Sequence, residues 1–150
     1  TTGLSVATGP FWALLGAGAV LTGPVWGPVT ARLRGHAALA LVLAVLLVAS
    51  LPPVLRAAPH VSAVLFGVSF LGVITAITDL FRTRLPAGAW PRAMGLSTAA
   101  FATGQALGPA ATGAVGELLG GVSAALWAGS GFLALALAVA SVGARARPTA

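Results

Sequence analysis

Very few side chains in this sequence could take part in chemistry. The only carboxylates belong to Asp79 and Glu117, the only histidines are His36 and His60, and there is no cysteine. The sequence contains no pair of catalytic carboxylates, no metal-ligand cluster, no nucleophile elbow and no phosphate-binding loop. It therefore predicts a protein that is not an enzyme and that holds neither a metal nor a cofactor.

The rest of the composition indicates a membrane protein. Hydrophobic residues occupy 58% of the 150 positions, charged residues occupy 7%, and the mean hydropathy is +1.01. A soluble domain of this length needs far more polar side chains to cover its surface. The net charge of +6 comes from arginines in small groups between long uncharged runs, unlike the basic face of a nucleic-acid-binding protein. We therefore expect a lipid bilayer, and no nucleic acid, as the partner.

Uncharged runs predict an all-α membrane protein with five transmembrane helices. About 20 residues at about 1.5 Å each cross a bilayer core, and Pro or Gly clusters separate the runs. Apolar and polar residues do not alternate with a period of two, so the sequence does not indicate a β-barrel. The predicted helices are A at 10–30, B at 37–51, C at 61–80, D at 93–115 and E at 121–143.

The arginines predict the orientation of these helices. If the five helices alternate in direction, only Arg56 falls on one side of the membrane, and the positive-inside rule makes the other side cytoplasmic. This chain would begin outside and end in the cytoplasm. Abundant Ala, Gly, Pro and Arg without Lys suit a GC-rich bacterial genome, so we expect a bacterial inner membrane. The arginines on the cytoplasmic side are Arg32, Arg34, Arg82, Arg84, Arg92, Arg145 and Arg147.

The helices differ in composition. Helices B and E are almost wholly apolar and are predicted to lie at the periphery facing lipid, whereas A, C and D carry small and polar residues that favour an interior position. Glycines beside prolines in A and D predict either close helix packing or a gating hinge. Those residues are Gly23 and Pro24 in helix A, and Gly104, Gly108 and Pro109 in helix D.

An internal repeat organises the same helices. Gly23 and Pro24 correspond to Gly108 and Pro109 at an offset of 85 residues, and this offset places A on D and B on E. At this offset the counterpart of helix C would lie before residue 1, so one helix of the repeat is missing from this sequence. Restoring that helix gives two inverted three-helix units.

The residues around the first arginines resemble a cytoplasmic loop signature of major facilitator superfamily (MFS) transporters. In this signature Gly27 precedes Arg32, which is followed by Arg34 and Gly35, and Ala31 stands where the family has Asp. The arginines have two possible roles. They either set topology through anionic headgroups, or they form a cytoplasmic latch that pairs with a carboxylate or a helix C-terminus.

Two further segments resemble the same superfamily. Residues 92–109 are similar to the eleventh helix of its bacterial YbfB/YjiJ-like branch, and residues 64–72 suit the tenth helix. The resemblance covers essentially the whole chain, so helices A to E would correspond to helices eight to twelve of a twelve-helix fold. Residues 1–150 would then be a partial C-terminal six-helix bundle whose first helix is missing.

This resemblance implies secondary active transport of a small solute by alternating access. The implied partners are the missing N-terminal half and an unknown small-molecule substrate, with protons as a candidate coupling ion. The alternative is a truncated or accessory membrane protein that does not transport and that oligomerises through the Gly-rich faces of A and D. Seven further apolar spans encoded upstream would favour the transporter.

The resemblance also implies where a substrate cavity lies. Helix C would contribute most from this half, through Ser69, Thr75 and Thr78. Polar and aromatic residues on helix D share one face at heptad-like spacing. An unpaired amide near mid-membrane costs several kcal/mol, so the glutamine among them needs a partner in a helix, water or the substrate. The candidates on helix D are Thr98, Phe101, Gln105 and Thr112.

The remaining polar and aromatic residues suggest membrane-surface positions. Asp79, in the last turn of helix C, is either a proton or substrate site or the partner of Arg82 in an i, i+3 ion pair near the membrane surface. Glu117 and the two histidines are predicted to lie near water without a role. Trp12 and Trp26 are expected to be interfacial anchors.

Overall fold

The computed structural model describes residues 8–33, 35–51 and 56–145. Within these ranges the regular elements are helices, and no strand is present. Helix A corresponds to two helices, and B to E correspond to one helix each. They are α1 (Thr8–Val20), α2 (Thr22–Leu33), α3 (Gly35–Ser50), α4 (Pro59–Arg84), a short 3₁₀ turn (Ala87–Ala89), α5 (Trp90–Leu119) and α6 (Val122–Arg145).

Helix A is broken rather than continuous. Its two parts, α1 and α2, are bent by 44° at Leu21. Pro24 has no N–H to donate to the carbonyl of Val20, and its ring crowds the preceding turn. The amide of Leu21 bonds to the carbonyl oxygens of Ala17 at 3.3 Å and Gly18 at 3.0 Å, a bifurcated contact that ends the last turn of α1. The predicted single helix is thereby corrected to a bent pair.

Two helices are long and apolar enough to cross a bilayer. They are α4 and α6, and the bent pair α1–α2 makes a third if it is one span. Helix α3 is apolar but has 16 residues, fewer than the roughly 20 that a span needs. Helix α5 has 30 residues, but Gly, Thr and Gln dilute its apolar content. The described residues thus hold two or three candidate spans, and the predicted number of five is not confirmed.

Helix α4 lies at the centre and packs against α1, α2 and α3. The hydroxyl of Thr22 donates a hydrogen bond across the α2–α4 contact to the carbonyl oxygen of Val68, at 3.0 Å. Trp26 is 4% exposed and lies against Gly72, so its expected role as an interfacial anchor is wrong. Its large ring fills the space that the missing side chain of Gly72 leaves.

Of the two helices predicted to lie at the periphery, the structure packs α3 between two neighbours and leaves α6 largely exposed. Helix α3 buries Ala38, Val42 and Leu46. Their spacing of four residues makes one stripe that packs between α4 and α6. Helix α6 buries only Ser130 and Ala140 among its described residues, as expected for a peripheral helix.

Two glycines let α1 and α4 approach closely. A Cβ atom on Gly18 would lie 2.6 Å from the carbonyl oxygen of Val64, and one on Gly67 would overlap the backbone of Leu15. Backbones can come this close only where a side chain is absent. The contact fixes the crossing point of the two helices.

The ends of α2, α4 and α6 meet at one end of the bundle. Gly35, the first residue of α3, donates a hydrogen bond to Asp79 in the last turns of α4, and a Cβ atom on Gly143 of α6 would overlap the ring of His36 at the start of α3. This arginine-rich end carries most of the described arginines, whereas Arg56 donates to the hydroxyl of Ser123 at the opposite end. The described arginines at the arginine-rich end are Arg32, Arg82, Arg84, Arg92 and Arg145; Arg34 and Arg147 lie outside the described residues.

Candidate functional site

A polar cavity of about 350 Å³ lies between α2 and α4 near the arginine-rich end. Positions three and four residues apart share one face of a helix, and this spacing brings five residues of α4 to the cavity. Helix α2 contributes a threonine from its last turns. The lining residues are Thr30, Ile74, Thr75, Thr78, Asp79 and Arg82.

Asp79 connects this cavity to the loop signature. Its Oδ2 atom accepts a hydrogen bond from the backbone N–H of Gly35 at 3.2 Å. Gly35 is buried with φ at +58°, a left-handed conformation that glycine adopts without strain. Arg82 lines the same cavity. In the described structure its side chain forms no ion pair with that of Asp79, so the ion pair predicted between these two residues is not confirmed. The carboxylate thus holds the α2–α3 turn against the end of α4.

A second cavity, of about 300 Å³, lies on the other side of α4, where it faces α5. Thr78 and Ile74 border both cavities, so one turn of α4 separates the two spaces. The residues that line the second cavity are Val73, Ile74, Ile77, Thr78, Met94, Ser97, Thr98 and Phe101.

The hydroxyls of Thr75 and Thr78 donate hydrogen bonds within their own helix, α4. Thr78 bonds to the carbonyl oxygen of Ile74 at 2.9 Å, and Thr75 bonds to that of Leu71 at 3.5 Å. A hydroxyl has one donor and two acceptor sites, so each oxygen can still accept a hydrogen bond from a solute. With one carboxylate and one guanidinium nearby, the first cavity can contact a small polar or zwitterionic molecule. No three His, Asp or Glu side chains converge as metal ligands in the described parts of the chain.

The structure brings together only some of the predicted cavity residues. Thr75, Thr78, Thr98 and Phe101 line the two cavities. Ser69 is fully buried in α4, its hydroxyl has no hydrogen-bond partner, and it lines neither cavity.

The other two candidates on α5 lie farther along that helix. Gln105 is exposed, and none of the described residues forms a hydrogen bond with its amide. Thr112 bonds to the carbonyl oxygens of Gly108 at 2.9 Å and Pro109 at 3.3 Å, in its own helix. Within the described residues the predicted partner of Gln105 in a neighbouring helix is therefore not present.

The glycines that make close contacts are not those that sequence reasoning selected. A Cβ atom on Gly23, Gly27, Gly104 or Gly108 would meet nothing within 4 Å among the described atoms. The same holds for Gly113 farther along α5. The closest contacts are made instead by Gly18, Gly67, Gly72 and Gly143. Gly116, which recurs at helical spacing with Gly104 and Gly108, does make a contact, because its Cβ atom would lie 3.3 Å from the carbonyl oxygen of Gly121.

Sequence reasoning also missed several lining residues, among them Thr30 in the first cavity and Ser97 in the second. Thr30 is buried in the last turns of α2, and its hydroxyl bonds to the carbonyl oxygen of Gly27 at 3.1 Å. Its position inside the loop signature was the available signal, but the signature directs attention to its charged residues.

Comparison with known proteins agrees with these features. A family model described as "Uncharacterised MFS-type transporter YbfB" matches residues 2–141. No curated protein and no solved structure shows significant similarity to the chain. The match covers both cavities, the loop signature and the described helices up to residue 141 in α6. This chain therefore belongs to the YbfB-type family of MFS transporters, which are membrane proteins.

Proposed function

We propose that this chain forms the C-terminal part of a secondary transporter that moves a small solute by alternating access. The observation that carries the proposal is the family match over 2–141, joined to two cavities on either side of α4. In this proposal α3 and α5 also cross the membrane, which gives five spans. The missing first helix and the N-terminal half complete the solute pathway.

The groups that line the first cavity limit the class of solute that it can bind. Threonine oxygens, one carboxylate and one guanidinium converge within about 350 Å³. A zwitterion or a small polar solute can pair with all three kinds of group.

Cysteine accessibility in sealed vesicles tests alternating access directly. This chain has no cysteine, so Thr78→Cys adds a single thiol to it at the border of the two cavities. In the complete protein, a membrane-impermeant maleimide should react at position 78 from one face, and a proton gradient should change that reactivity. Leu135→Cys is the matched control, because Leu135 is 63% exposed on α6 and should lie in lipid. Protection of position 78 from both faces under every condition would contradict the proposal.

Substitution of Arg32 distinguishes between the two possible roles of the arginines in the loop signature. It is exposed in the last turn of α2, near the Gly35–Asp79 bond. If Arg32 stabilises a latch, Arg32→Ala should preserve membrane orientation and change the accessibility of Thr78→Cys. If it sets topology, the same substitution should alter the sidedness of a C-terminal tag.

A specific observation supports the alternative of an oligomer that does not transport. Helix α5 buries only Gly116 among its residues, which leaves its Gly-rich face without a neighbour in the described chain. A chain that formed a homodimer through this face, with no transport of any solute in a panel, would favour the alternative. A larger polypeptide with seven preceding spans would favour the transporter.

A further inference from the structure

A third cavity, of about 260 Å³, lies among α1, α3, α4 and α6, away from the arginine-rich end. Its walls come from the beginning of α1, the end of α3 and the first turns of α4 and α6. The apolar residues that line it are Phe11, Trp12, Leu15, Ala49, Phe66 and Leu126.

Both hydroxyl groups in the described wall of this cavity already have hydrogen-bond partners. The hydroxyl of Ser62 donates to the carbonyl oxygen of Ala49, and that of Ser50 donates to the carbonyl oxygen of Leu47 at 2.9 Å. A buried water needs two to four polar partners, and apolar cavities of roughly 150 Å³ stay dry and accept apolar ligands. The described lining therefore favours an apolar occupant over water.

A positive charge lies about one helical turn from this cavity. A side-chain nitrogen of Arg56 donates to the hydroxyl of Ser123 at 3.1 Å. Ser123 precedes Leu126 by three residues in α6, so both lie on one face of that helix. Arg56 is exposed and Ser123 is half-buried. The bond uses one of the five N–H groups of the guanidinium, which suits phosphate recognition through two parallel hydrogen bonds.

We propose that this cavity binds one acyl chain of an anionic membrane phospholipid, with Arg56 holding its phosphate. The bilayer surrounds such a site with acyl chains, and the charge beside an apolar cavity matches a lipid with an anionic headgroup. Trp12 is 63% exposed at the same cavity and has the amphipathic ring that is typical of the headgroup level. The lipid would insert between α1 and α6, whose first turns both line the cavity.

Photo-crosslinking in bilayers tests the site. The complete protein is placed in phosphatidylcholine nanodiscs that contain phosphatidylglycerol with a photoreactive acyl chain. The crosslinked peptides are then identified by mass spectrometry. We expect crosslinks at residues 11–15 and around Leu126. Leu126→Trp, which fills the cavity, should remove them, whereas Leu135→Trp on the exposed side of α6 should not. Elution volumes and melting temperatures equal to those of the unsubstituted protein establish that both variants fold.

Arginine variants test the headgroup contact. Arg56→Gln should lower the apparent affinity for phosphatidylglycerol about fivefold, the effect of one basic residue near an anionic surface. Arg84→Gln removes an exposed arginine at the arginine-rich end and should leave that affinity unchanged. Equal competition by phosphatidylcholine would overturn the assignment of an anionic lipid. Crosslinks that persist in Leu126→Trp, or a polypeptide segment found in the cavity instead of lipid, would overturn the site itself.

Discussion

Replacing Gly67 by alanine tests the close approach of α1 and α4. The new Cβ atom would overlap the backbone carbonyl of Leu15, and a backbone atom cannot rotate away as a flexible side chain can. Gly18 faces α4 with a similar restriction, since its Cβ atom would lie 2.6 Å from a carbonyl oxygen. The helices must therefore separate, and a gap of about 0.5–1 Å forfeits a quarter to a half of each dispersion contact along the seam.

The expected size of the effect follows from overpacking in other cores. Gly67→Ala should lower the free energy of unfolding by roughly 1–3 kcal/mol. For a chain of this length, each kcal/mol corresponds to a melting-temperature shift of about 2–4 °C. The midpoint of SDS-induced unfolding of the purified protein in mild detergent measures the change.

Gly104→Ala is the matched control for Gly67→Ala. Both positions lie in long helices, but a Cβ atom on Gly104 would meet nothing within 4 Å. Alanine has the higher helix propensity by about 1 kcal/mol, so this variant should be neutral or slightly more stable. Equal unfolding midpoints for the two variants would refute the close backbone contact between α1 and α4.

Three further predictions concern the side chains of Thr22, Asp79 and Gln105. Thr22→Val removes the bond between helices and should cost about 0.6–2 kcal/mol, whereas Thr103→Val, which removes an exposed bond within α5, should cost nothing measurable; equal costs would contradict the α2–α4 bond. Asp79→Ala leaves the buried N–H of Gly35 unpaired and should cost about 1–3 kcal/mol and speed hydrogen exchange at that amide, while Asp79→Asn, which keeps an acceptor, should restore protection. Gln105→Leu should lower transport by the complete protein at equal expression, because its exposed amide is available to a solute or to the other half; unchanged transport would count against that role.

Part of the candidate site could be predicted from the sequence because helical spacing is local. Thr75, Thr78 and Asp79 recur at three- and four-residue intervals, so their placement on one side of α4 follows from helix geometry alone. Thr98 and Phe101 share a face of α5 for the same reason. Their convergence with Thr78 could not be predicted, because it depends on how two helices pack.

The sequence by itself indicated that this is a membrane protein, that its fold is helical and to which family it belongs. Composition is additive along the chain, so 58% hydrophobic and 7% charged residues exclude a soluble fold without any coordinates. Pro59 and Pro86 likewise mark helix ends, but Pro28 and Pro109 lie inside helices, and the 44° bend at Leu21 needed the structure.

Only the tertiary structure decided which small and polar residues meet. Every glycine in an apolar helix looks alike in sequence, and Gly67 differs from Gly104 only because Leu15 lies against it. Trp26 changed from an expected surface anchor to a core residue for the same reason, since Gly72 makes room for its ring. Burial depends on neighbours distant in the chain, and a local pattern carries no information about those neighbours.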